Sequence, residues 1–336
     1  MRKNHFPTNF ASRCAPLLKK ISKLKLMVAG DLVADEAIYG DTERISREAP
    51  VLILRYTHTD LTPGGAANAA NNAVDLKAQV FPLGVVGEDE QGSKLLHYFK
   101  GKRVDCTGIL TVKNRPTTVK SRIMAGAHHT AKQQVIRIDK LEDKEVSKAV
   151  EAKLVGRITA MASKMDALLI SDYGLGVVTE TVRRSLLSAF AGKIITVDSR
   201  YHLGAYAGVR LITPNVAEAG PAAGLEIVNE DSLFKAGSIL QERLGCQVLI
   251  TQGPQGMTLF GDENEKFILP VFGADQPVDP TGAGDTVAVA ATLSLAAGAD
   301  LLTAGALATV AAGIVVAKRG TATTNPEEIL NALKPK

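Results

Sequence analysis

Short apolar runs alternate with longer amphipathic segments along most of the chain. The runs have the length of buried strands and cover residues 24–30, 79–86, 167–171, 194–197, 211–212 and 248–251. The segments between them have helical apolar spacing and cover residues 65–76, 91–102, 144–165, 180–190 and 230–244. Apolar strands that alternate with helices predict a mostly parallel sheet covered on both faces, which is a doubly wound α/β fold.

Two regions of the first half depart from this alternation. Residues 51–56 and 117–138 are rich in alternating apolar positions, and no crossover helix accompanies them. This pattern predicts extra antiparallel strands. We expect them to form a small β lid that covers a site or pairs with a second subunit, because exposed strand edges seek partners.

No repeat or low-complexity linker divides the chain. We therefore predict one domain over residues 24–336, with lid strands at about 36–60 and 111–140, preceded by an extension over residues 1–23. The first 30 residues contain seven Lys or Arg and no acid, as a transit peptide would. We prefer the alternative, a ragged terminus followed by a basic surface helix that leads into the first strand.

The long apolar stretch near the C-terminus raises the question of a membrane span. From residue 286 to residue 317 the one charged side chain is Asp300. Gly298 and Asp300 divide the stretch into segments shorter than the roughly 20 residues that a span needs. Both segments are rich in Ala, Gly and Thr, so they predict two closely packed buried helices and no membrane segment.

Composition excludes several classes of protein. Aromatic residues make up 4% of the chain and Trp is absent, which argues against base-stacking surfaces for nucleic acid. The net charge of +4 gives no DNA-binding footprint but would not repel an anionic substrate. The three cysteines are far apart, which fits a reducing cytoplasm and indicates neither a disulfide framework nor a zinc site. Adjacent His128 and His129 indicate an exposed loop tip rather than a metal site.

Polar or glycine residues follow five of the predicted strands. They are Gly30-Asp31 and the segments 171–174, 198, 213–215 and 251–253. Ligands of open parallel sheets bind at the carboxyl ends of the strands, so these residues predict an active-site rim. Neither the dinucleotide fingerprint G-x-G-x-x-G after the first strand nor a P-loop is present, so a phosphate site must have another design.

The hexapeptide Thr281-Gly-Ala-Gly-Asp-Thr286 offers such a design. It follows a turn with Pro277 and Pro280 and opens the first of the two apolar helices. A glycine turn that opens a helix leaves free N–H groups, and the helix dipole adds positive charge, so an anion is favoured there. Asp285 lies in the first helical turn and is placed to accept a proton from an attacking hydroxyl. A helix with an ordinary acidic cap is the alternative.

A second glycine-led helix start, Pro63-Gly-Gly-Ala-Ala-Asn68, completes a recognisable pair. Together the two motifs resemble those of the ribokinase-like (PfkB) carbohydrate kinases. Several further segments are similar to the D-glycero-β-D-manno-heptose-7-phosphate kinases of that family, and the resemblance covers residues 24–333. Those segments include Gly30-Asp31-x-x-x-Asp35, 44–51, 134–139, 171–173, 213–218, 255–257 and 311–323.

The resemblance implies a doubly wound ribokinase-like domain with a β-sheet lid that uses ATP and Mg²⁺. It implies that Asp285 is the catalytic base and that the N–H groups of Gly282, Ala283 and Gly284 form the anion hole. The implied sugar-binding residues are Asp31, Asp35, Gly64, Gly65, Asn68 and Arg137. The implied ATP-binding residues are Asn215, Val216, Ala217, Glu218, Thr251, Gly253 and Gly256, and Glu218 would also hold Mg²⁺ through water.

The resemblance is incomplete at two places. The chain has Asp198-Ser-Arg-Tyr201 where the heptose kinases typically have Asp-Pro-Lys-Gly, and Thr309 where they have Asn. The identity of the sugar therefore stays open, and a kinase of ribose, fructose or a nucleoside is the nearest alternative. A non-catalytic sugar-binding relative and a dehydrogenase are more distant alternatives. We also expect a homodimer formed through the lid.

Overall fold

Two β-sheets and the helices around them make up the described part of the chain. The computed structural model describes residues 6–127, 130–262, 265–273 and 278–334. The strands are β1 (Lys25–Gly30), β2 (Leu32–Ile45), β3 (Leu52–Gly65), β4 (Gln79–Gly87), β5 (Ile109–Val112), β6 (Thr118–Gly126), β7 (Gln133–Lys140), β8 (Ala167–Asp172), β9 (Ile194–Ser199), β10 (Leu211–Ile212), β11 (Gln247–Thr251), β12 (Met257–Phe260) and β13 (Lys266–Leu269). The helices are α1 (Phe10–Ile21), α2 (Ala66–Asp75), α3 (Glu90–Gly101), α4 (Lys148–Met161), α5 (Glu180–Ala189), α6 (Val216–Ala223), α7 (Glu230–Leu244), α8 (Ala283–Ala296), α9 (Leu301–Val315) and α10 (Pro326–Ala332).

The larger sheet has the order β13-β12-β11-β10-β9-β8-β1-β4-β5. Its strands run parallel from β11 to β5, and β12 and β13 add an antiparallel edge. Each strand that the apolar runs predict is present in it. The predicted doubly wound α/β fold is confirmed.

Helices bury both faces of this sheet, as alternate side chains of β1 demonstrate. Leu26 and Val28 belong to the core on one face, which also contains residues of α1, α2, α3, α8 and α9. Met27 and Ala29 belong to the core on the other face, with residues of α4, α5, α6 and α7. Successive strand residues point to opposite faces, so a run of consecutive apolar residues supplies both cores.

Helices α8 and α9 are the two buried helices that the apolar C-terminal stretch predicts. Gly305 of α9 allows a close approach, because a Cβ there would lie 2.7 Å from Leu269 Cδ1. Asp300 caps α9 by accepting a hydrogen bond from the Thr303 N–H at 2.7 Å. Within the described residues, no helix combines the length and apolar character that a bilayer crossing requires.

The smaller sheet has the order β3-β2-β6-β7 and forms the lid. Two of its pairs are antiparallel, as predicted, whereas β2 and β6 run parallel, a pairing that the sequence pattern did not indicate. Strand β2 directly follows β1, and β6 shortly follows β5. Because β1 and β5 point the same way in the large sheet, both lid strands start from the same edge of that sheet and run parallel to each other. Strand β5, which enters the predicted lid range, belongs to the large sheet. The predicted tip at His128-His129 lies outside the described residues.

Helix α1 lies within the predicted N-terminal extension. Its apolar side chains Phe10, Cys14, Leu18 and Ile21 are buried in the core that contains α8 and α9. Arg13 on its outer face pairs with Asp300 at 2.6 Å. The basic helix is therefore a layer of the domain on one side and solvated on the other.

Candidate active site

Asp285 lies in the first turn of α8, where its side chain is buried. Thr281, four residues before it, lines the cleft between the lid and the C-terminal part of the domain. Its Oδ2 accepts a hydrogen bond from Asn68 Nδ2 at 2.7 Å, and its Oδ1 accepts one from the Tyr173 hydroxyl at 3.1 Å. Burial raises the pKa of Asp285 to about 7, although both hydrogen bonds favour the ionised form. A carboxyl group that titrates near neutral pH is suited to accept a proton from an alcohol.

The start of α8 provides exposed N–H groups beside this carboxyl. No hydrogen bond joins the Gly284 N–H to another described residue, and a Cβ on Gly284 would meet no atom within 4 Å. The Ala283 N–H already donates to the Pro280 carbonyl at 3.2 Å, so its predicted place in the anion hole is not supported by this geometry. Gly282 has φ +80°, and a Cβ there would lie 2.6 Å from Asn68 Nδ2. Pro277 of the predicted turn lies outside the described residues.

A buried polar network joins α2 to α8 behind the carboxyl. Asn72 Nδ2 donates to both the carbonyl and the side-chain oxygen of Asn68, at 3.0 and 3.2 Å. The Thr286 hydroxyl donates to Asn72 Oδ1 at 2.8 Å. Gly65, which has φ +54°, caps α2 and brings it against Asp31, since a Cβ there would lie 2.7 Å from the Asp31 carbonyl oxygen. Asn68 thus holds the base, a role that the sequence analysis did not assign to it.

Asp35 faces a cavity of about 620 Å³ between the lid and the C-terminal part of the domain. Arg122 Nη1 lies 3.1 Å from Asp35 Oδ1, and a Cβ on Gly64 would meet the Asp35 carboxylate at 2.8 Å. Burial raises the pKa of Asp35, whereas the charges of Arg122, Lys120 and Arg137 oppose this shift. The structure therefore brings the predicted sugar residues Asp35 and Gly64 together beside three cations of the lid.

The structure gives Asp31 a different setting from the predicted one. Its carboxylate accepts hydrogen bonds from the N–H groups of Tyr173 (2.8 Å), Leu175 (3.2 Å) and Val177 (3.2 Å). Burial raises its pKa to about 6 in spite of these bonds. Both oxygens are committed to the main chain after β8, so Asp31 organises that segment and does not face the cleft.

Arg137 of β7 forms a two-pronged ion pair with Asp139, with N–O distances of 2.7 and 2.6 Å. The pair raises the pKa of Arg137 and lowers that of Asp139. The Arg137 side chain is 41% exposed, and its charge acts on Asp35 and Lys120. Arg137 thus lies at the edge of the group formed by Asp35, Lys120 and Arg122, and its guanidinium is already paired with Asp139.

On the other side of the cleft, Asn215 and Glu218 begin helix α6 as a capping box. The Glu218 N–H donates to Asn215 Oδ1 at 3.0 Å, and the Asn215 N–H donates to Glu218 Oε2 at 2.9 Å. Val216 and Ala217 form the first turn between them. Asn215, Ala217 and Glu218 line a cavity of about 550 Å³ together with Arg200.

The predicted nucleotide turn follows β11 next to this helix start. An isolated bridge joins Thr251 to Asn215, which places the two predicted segments side by side. Gly253 and Gly256 have φ +57° and +86°, and a Cβ on Gly256 would lie 2.2 Å from the Leu269 carbonyl oxygen. The tight turn that joins β11 to β12 thus depends on glycine at both positions.

The carboxylates of this site suit a divalent cation that is bound through water molecules and not by direct contact. Within the described residues, no group of three or more His, Cys, Asp or Glu is placed to hold an ion. Asp198, at the end of β9, has a pKa well above its ordinary value because of burial and the nearby charges of Asp285 and Glu218. Mg²⁺ commonly keeps water in its coordination shell, so Glu218 alone could hold it through water without a cluster of direct ligands.

Four side chains of this site had no role predicted from the sequence, namely Lys120, Arg122, Tyr173 and Asp198. Asp198 and Tyr173 belong to the predicted rim, so their positions were indicated but not their chemistry. Lys120 and Arg122 are two residues apart on β6, and this period-two spacing of cations was the available signal that they share one face of the lid.

Comparisons with known proteins identify the family of the chain. Residues 23–328 match the model of the pfkB family of carbohydrate kinases. The chain is 40% identical over 314 residues to the bifunctional protein HldE of Geobacter metallireducens, an alignment that covers 92% of this chain and 63% of the relative. The chain therefore spans less than two thirds of the length of that relative.

Solved structures share the fold at low sequence identity. Ribokinase of Arabidopsis thaliana complexed with ribose and ATP has a TM-score of 0.70 and 19% identity, and covers 94% of this chain and 100% of its own. Phosphofructokinase-2 of Escherichia coli in complex with potassium has a TM-score of 0.73 and 19% identity, with coverages of 92% and 97%. Since the family model matches most of its length, the chain belongs to the pfkB family of carbohydrate kinases.

Proposed function

We propose that the chain transfers the γ-phosphoryl group of ATP to a hydroxyl of a sugar or sugar phosphate. The observation that carries this proposal is the position of Asp285, a carboxyl with a pKa of about 7 beside the open N-terminus of α8. The sugar hydroxyl gives its proton to Asp285 as its oxygen attacks the γ-phosphorus, and ADP leaves. The N–H groups at the start of α8, of which Gly284 supplies the most open, stabilise the charge on the phosphoryl oxygens.

The nucleotide is assigned to the side of the cleft where α6 and the β11–β12 turn meet. Asn215, Val216, Ala217 and Glu218 would contact the phosphates, and the turn with Thr251, Gly253 and Gly256 would line the nucleotide. The Arabidopsis ribokinase with this fold was solved with ATP, which supports ATP as the nucleotide. Mg²⁺ held through water by Glu218 would neutralise charge on the phosphates when bound.

The acceptor is assigned to the lid side, next to Asp35 and Gly64, with the buried Gly65 and Asn68 behind them. We propose a sugar phosphate similar to D-glycero-β-D-manno-heptose 7-phosphate. The motif resemblance and the HldE relative support this choice. The lid cations Lys120, Arg122 and Arg137 also support it, because an anionic sugar would offset their mutual repulsion.

The lid is also proposed as the contact of a homodimer. All eight residues of β7 are exposed, although Val135, Ile136 and Ile138 are apolar. Tyr56 and Leu52 on the opposite edge strand are exposed as well. A second copy would cover these strands, and the closed lid would keep water away from the phosphoryl group. A cytoplasmic location stays a prediction.

An ADP-release assay with a panel of acceptors tests the proposed reaction. Mg·ATP would be offered with heptose 7-phosphate, the unphosphorylated heptose, fructose 6-phosphate, fructose, ribose and adenosine. We expect the highest kcat/KM for heptose 7-phosphate and at least a tenfold loss without its phosphate, about the value of one charged contact. A clear preference for a neutral sugar would refute a sugar phosphate as the substrate. No turnover on any acceptor would favour a non-catalytic sugar-binding protein.

A further inference from the structure

Tyr173 is the first residue after β8, and its hydroxyl contacts the proposed base directly. The phenol donates to Asp285 Oδ1 at 3.1 Å while Asn68 donates to Oδ2 at 2.7 Å. The two donors come from different elements, the segment after β8 and helix α2. A carboxylate held at both oxygens from two directions has a fixed orientation, whereas one donor would leave it free to turn.

The main chain around Tyr173 is itself firmly held. The Asp31 carboxylate accepts hydrogen bonds from the N–H groups of Tyr173, Leu175 and Val177. Gly174 and Gly176, with φ +70° and +80°, turn the chain so that these amides converge on one carboxylate. Because Asp31 is 2% exposed, water does not compete for these bonds. The segment is thus built as a rigid support for the phenol.

The ring of Tyr173 is also in contact with the lid. Lys120 Nζ of β6 lies 5.2 Å from the ring centroid, within cation–π range. The phenol is therefore fixed at its backbone by Asp31, at its face by Lys120 and at its hydroxyl by Asp285.

We propose that Tyr173 is a positioning residue that aligns the Asp285 carboxylate for proton abstraction, with Asp31 holding the segment that carries it. This inference rests on the proposed kinase reaction and adds to it a residue that acts through the base. Asp31 then acts through Tyr173 and Asp285, two contacts away from the reacting atoms. This role explains why the Asp31 carboxylate is buried and does not face the cleft.

The electrostatic surroundings of Asp285 fix the direction of the expected pH effect. Besides Asn68 and Tyr173, its neighbours are Asp35 and Lys120 from β2 and β6, Asp198 at the end of β9 and, farther away, Glu218 of α6. Burial and the charge of Asp35 raise the pKa of Asp285, and Lys120 lowers it. The Tyr173 hydrogen bond stabilises the ionised form, so its removal raises the pKa of the base further.

The variant Tyr173→Phe in the full chain tests the inference, because it removes the hydroxyl and keeps the ring. With the best acceptor of the panel, we expect kcat to fall about tenfold, the rate equivalent of one hydrogen bond to a charged group. The acidic limb of the kcat/KM profile should move to higher pH, and the KM for ATP should stay within about twofold. An unchanged kcat and an unmoved limb would overturn the inference while wild-type turnover still supports the kinase.

Tyr206→Phe is the matched control. The Tyr206 hydroxyl also donates to a buried carboxylate, Asp172 Oδ2 at 2.7 Å, but it does not contact Asp285. This variant should keep the wild-type pH profile, whatever it does to stability. If the acidic limb of the kcat/KM profile moved equally in both variants, the shift would reflect a general loss of rigidity. That result would contradict a specific role of Tyr173.

A measurement without turnover separates this inference from the proposed function. Carbon-13 NMR of labelled Asp carboxyl groups, with the Asp285 signal assigned by its loss in Asp285→Asn, gives the titration midpoint of the base in the free protein. We expect a midpoint near 7 in wild type and a higher one in Tyr173→Phe. Equal midpoints would refute the positioning contact even if wild type proved inactive on every acceptor.

Discussion

Asp285 shows how a catalytic side chain conflicts with stability at the scale of one residue. Its carboxyl is 5% exposed, and burial raises its pKa to about 7. Ionised Asp285 therefore destabilises the folded state relative to the unfolded chain, where the same group ionises at its ordinary pKa. Two donors, Asn68 and Tyr173, reduce this cost without removing it.

The conflict predicts a pH-dependent gain of stability in Asp285→Asn. A raised pKa gives stability that is present at low pH and is lost as pH rises through the folded-state value near 7. Wild type should lose about 3 kcal/mol between pH 5 and pH 8 through this group, and the variant should not. Urea unfolding at both pH values measures the difference. The control Asp143→Asn removes an exposed carboxyl and should leave the pH dependence unchanged.

At the scale of elements, the start of α8 combines a glycine needed for folding with one needed for the reaction. Gly282 has a positive φ and touches Asn68, whereas the space above Gly284 is open. The buried network of Asn68, Asn72 and Thr286 fixes α8 against α2. The N-terminus of α8 therefore meets the cleft in one orientation.

The two glycines should respond differently to alanine. In Gly284→Ala the methyl group fills the space assigned to the phosphoryl oxygens, so kcat should fall at least tenfold while the melting temperature holds or rises slightly. In Gly282→Ala the melting temperature should fall by several degrees, because the backbone and Asn68 must both shift. Calorimetry and the ADP-release assay on both variants measure this. A Gly284→Ala enzyme of normal kcat would contradict an anion hole at this helix start.

Individual elements differ in how far the sequence predicts them. Helix α7 has the predicted bounds, and the α8–α9 pair follows from the apolar stretch that Gly298 and Asp300 interrupt. Helix α6 has eight residues and an internal proline, too short and irregular for its periodicity to be seen. The β12–β13 edge was likewise not predicted as strands, since short antiparallel strands carry a weak pattern.

The sequence predicted where the site lies better than it predicted the contacts within the site. The rim follows from the rule for carboxyl ends of parallel strands, and the helix start at Asp285 from local glycine chemistry. The setting of Asp31 was not predictable, because it depends on three amides about 140 residues away in the chain. The parallel β2–β6 pair was missed for the same reason, as it joins segments that are remote in sequence.

At the scale of the whole molecule, the lid presents an exposed strand with apolar side chains. Ile136 of β7 is 54% exposed on a strand whose residues are all exposed. If a second copy packs there, Ile136→Glu buries a charge at the contact and should shift a dimer to a monomer in sedimentation velocity. Val228→Glu is the control, since Val228 is 70% exposed in the connection before α7, away from the lid. A monomeric wild type, or an Ile136→Glu dimer, would contradict the lid contact.

The role of Asp285 as the proton acceptor is the claim on which the proposed reaction depends. The direct test measures kcat of Asp285→Asn in the ADP-release assay, together with calorimetric binding of the sugar acceptor to the same variant. We predict that kcat falls about a thousandfold, as expected for loss of a general base, while the acceptor Kd stays within about threefold. Turnover of Asp285→Asn within about threefold of wild type would contradict the assignment of Asp285 as the base.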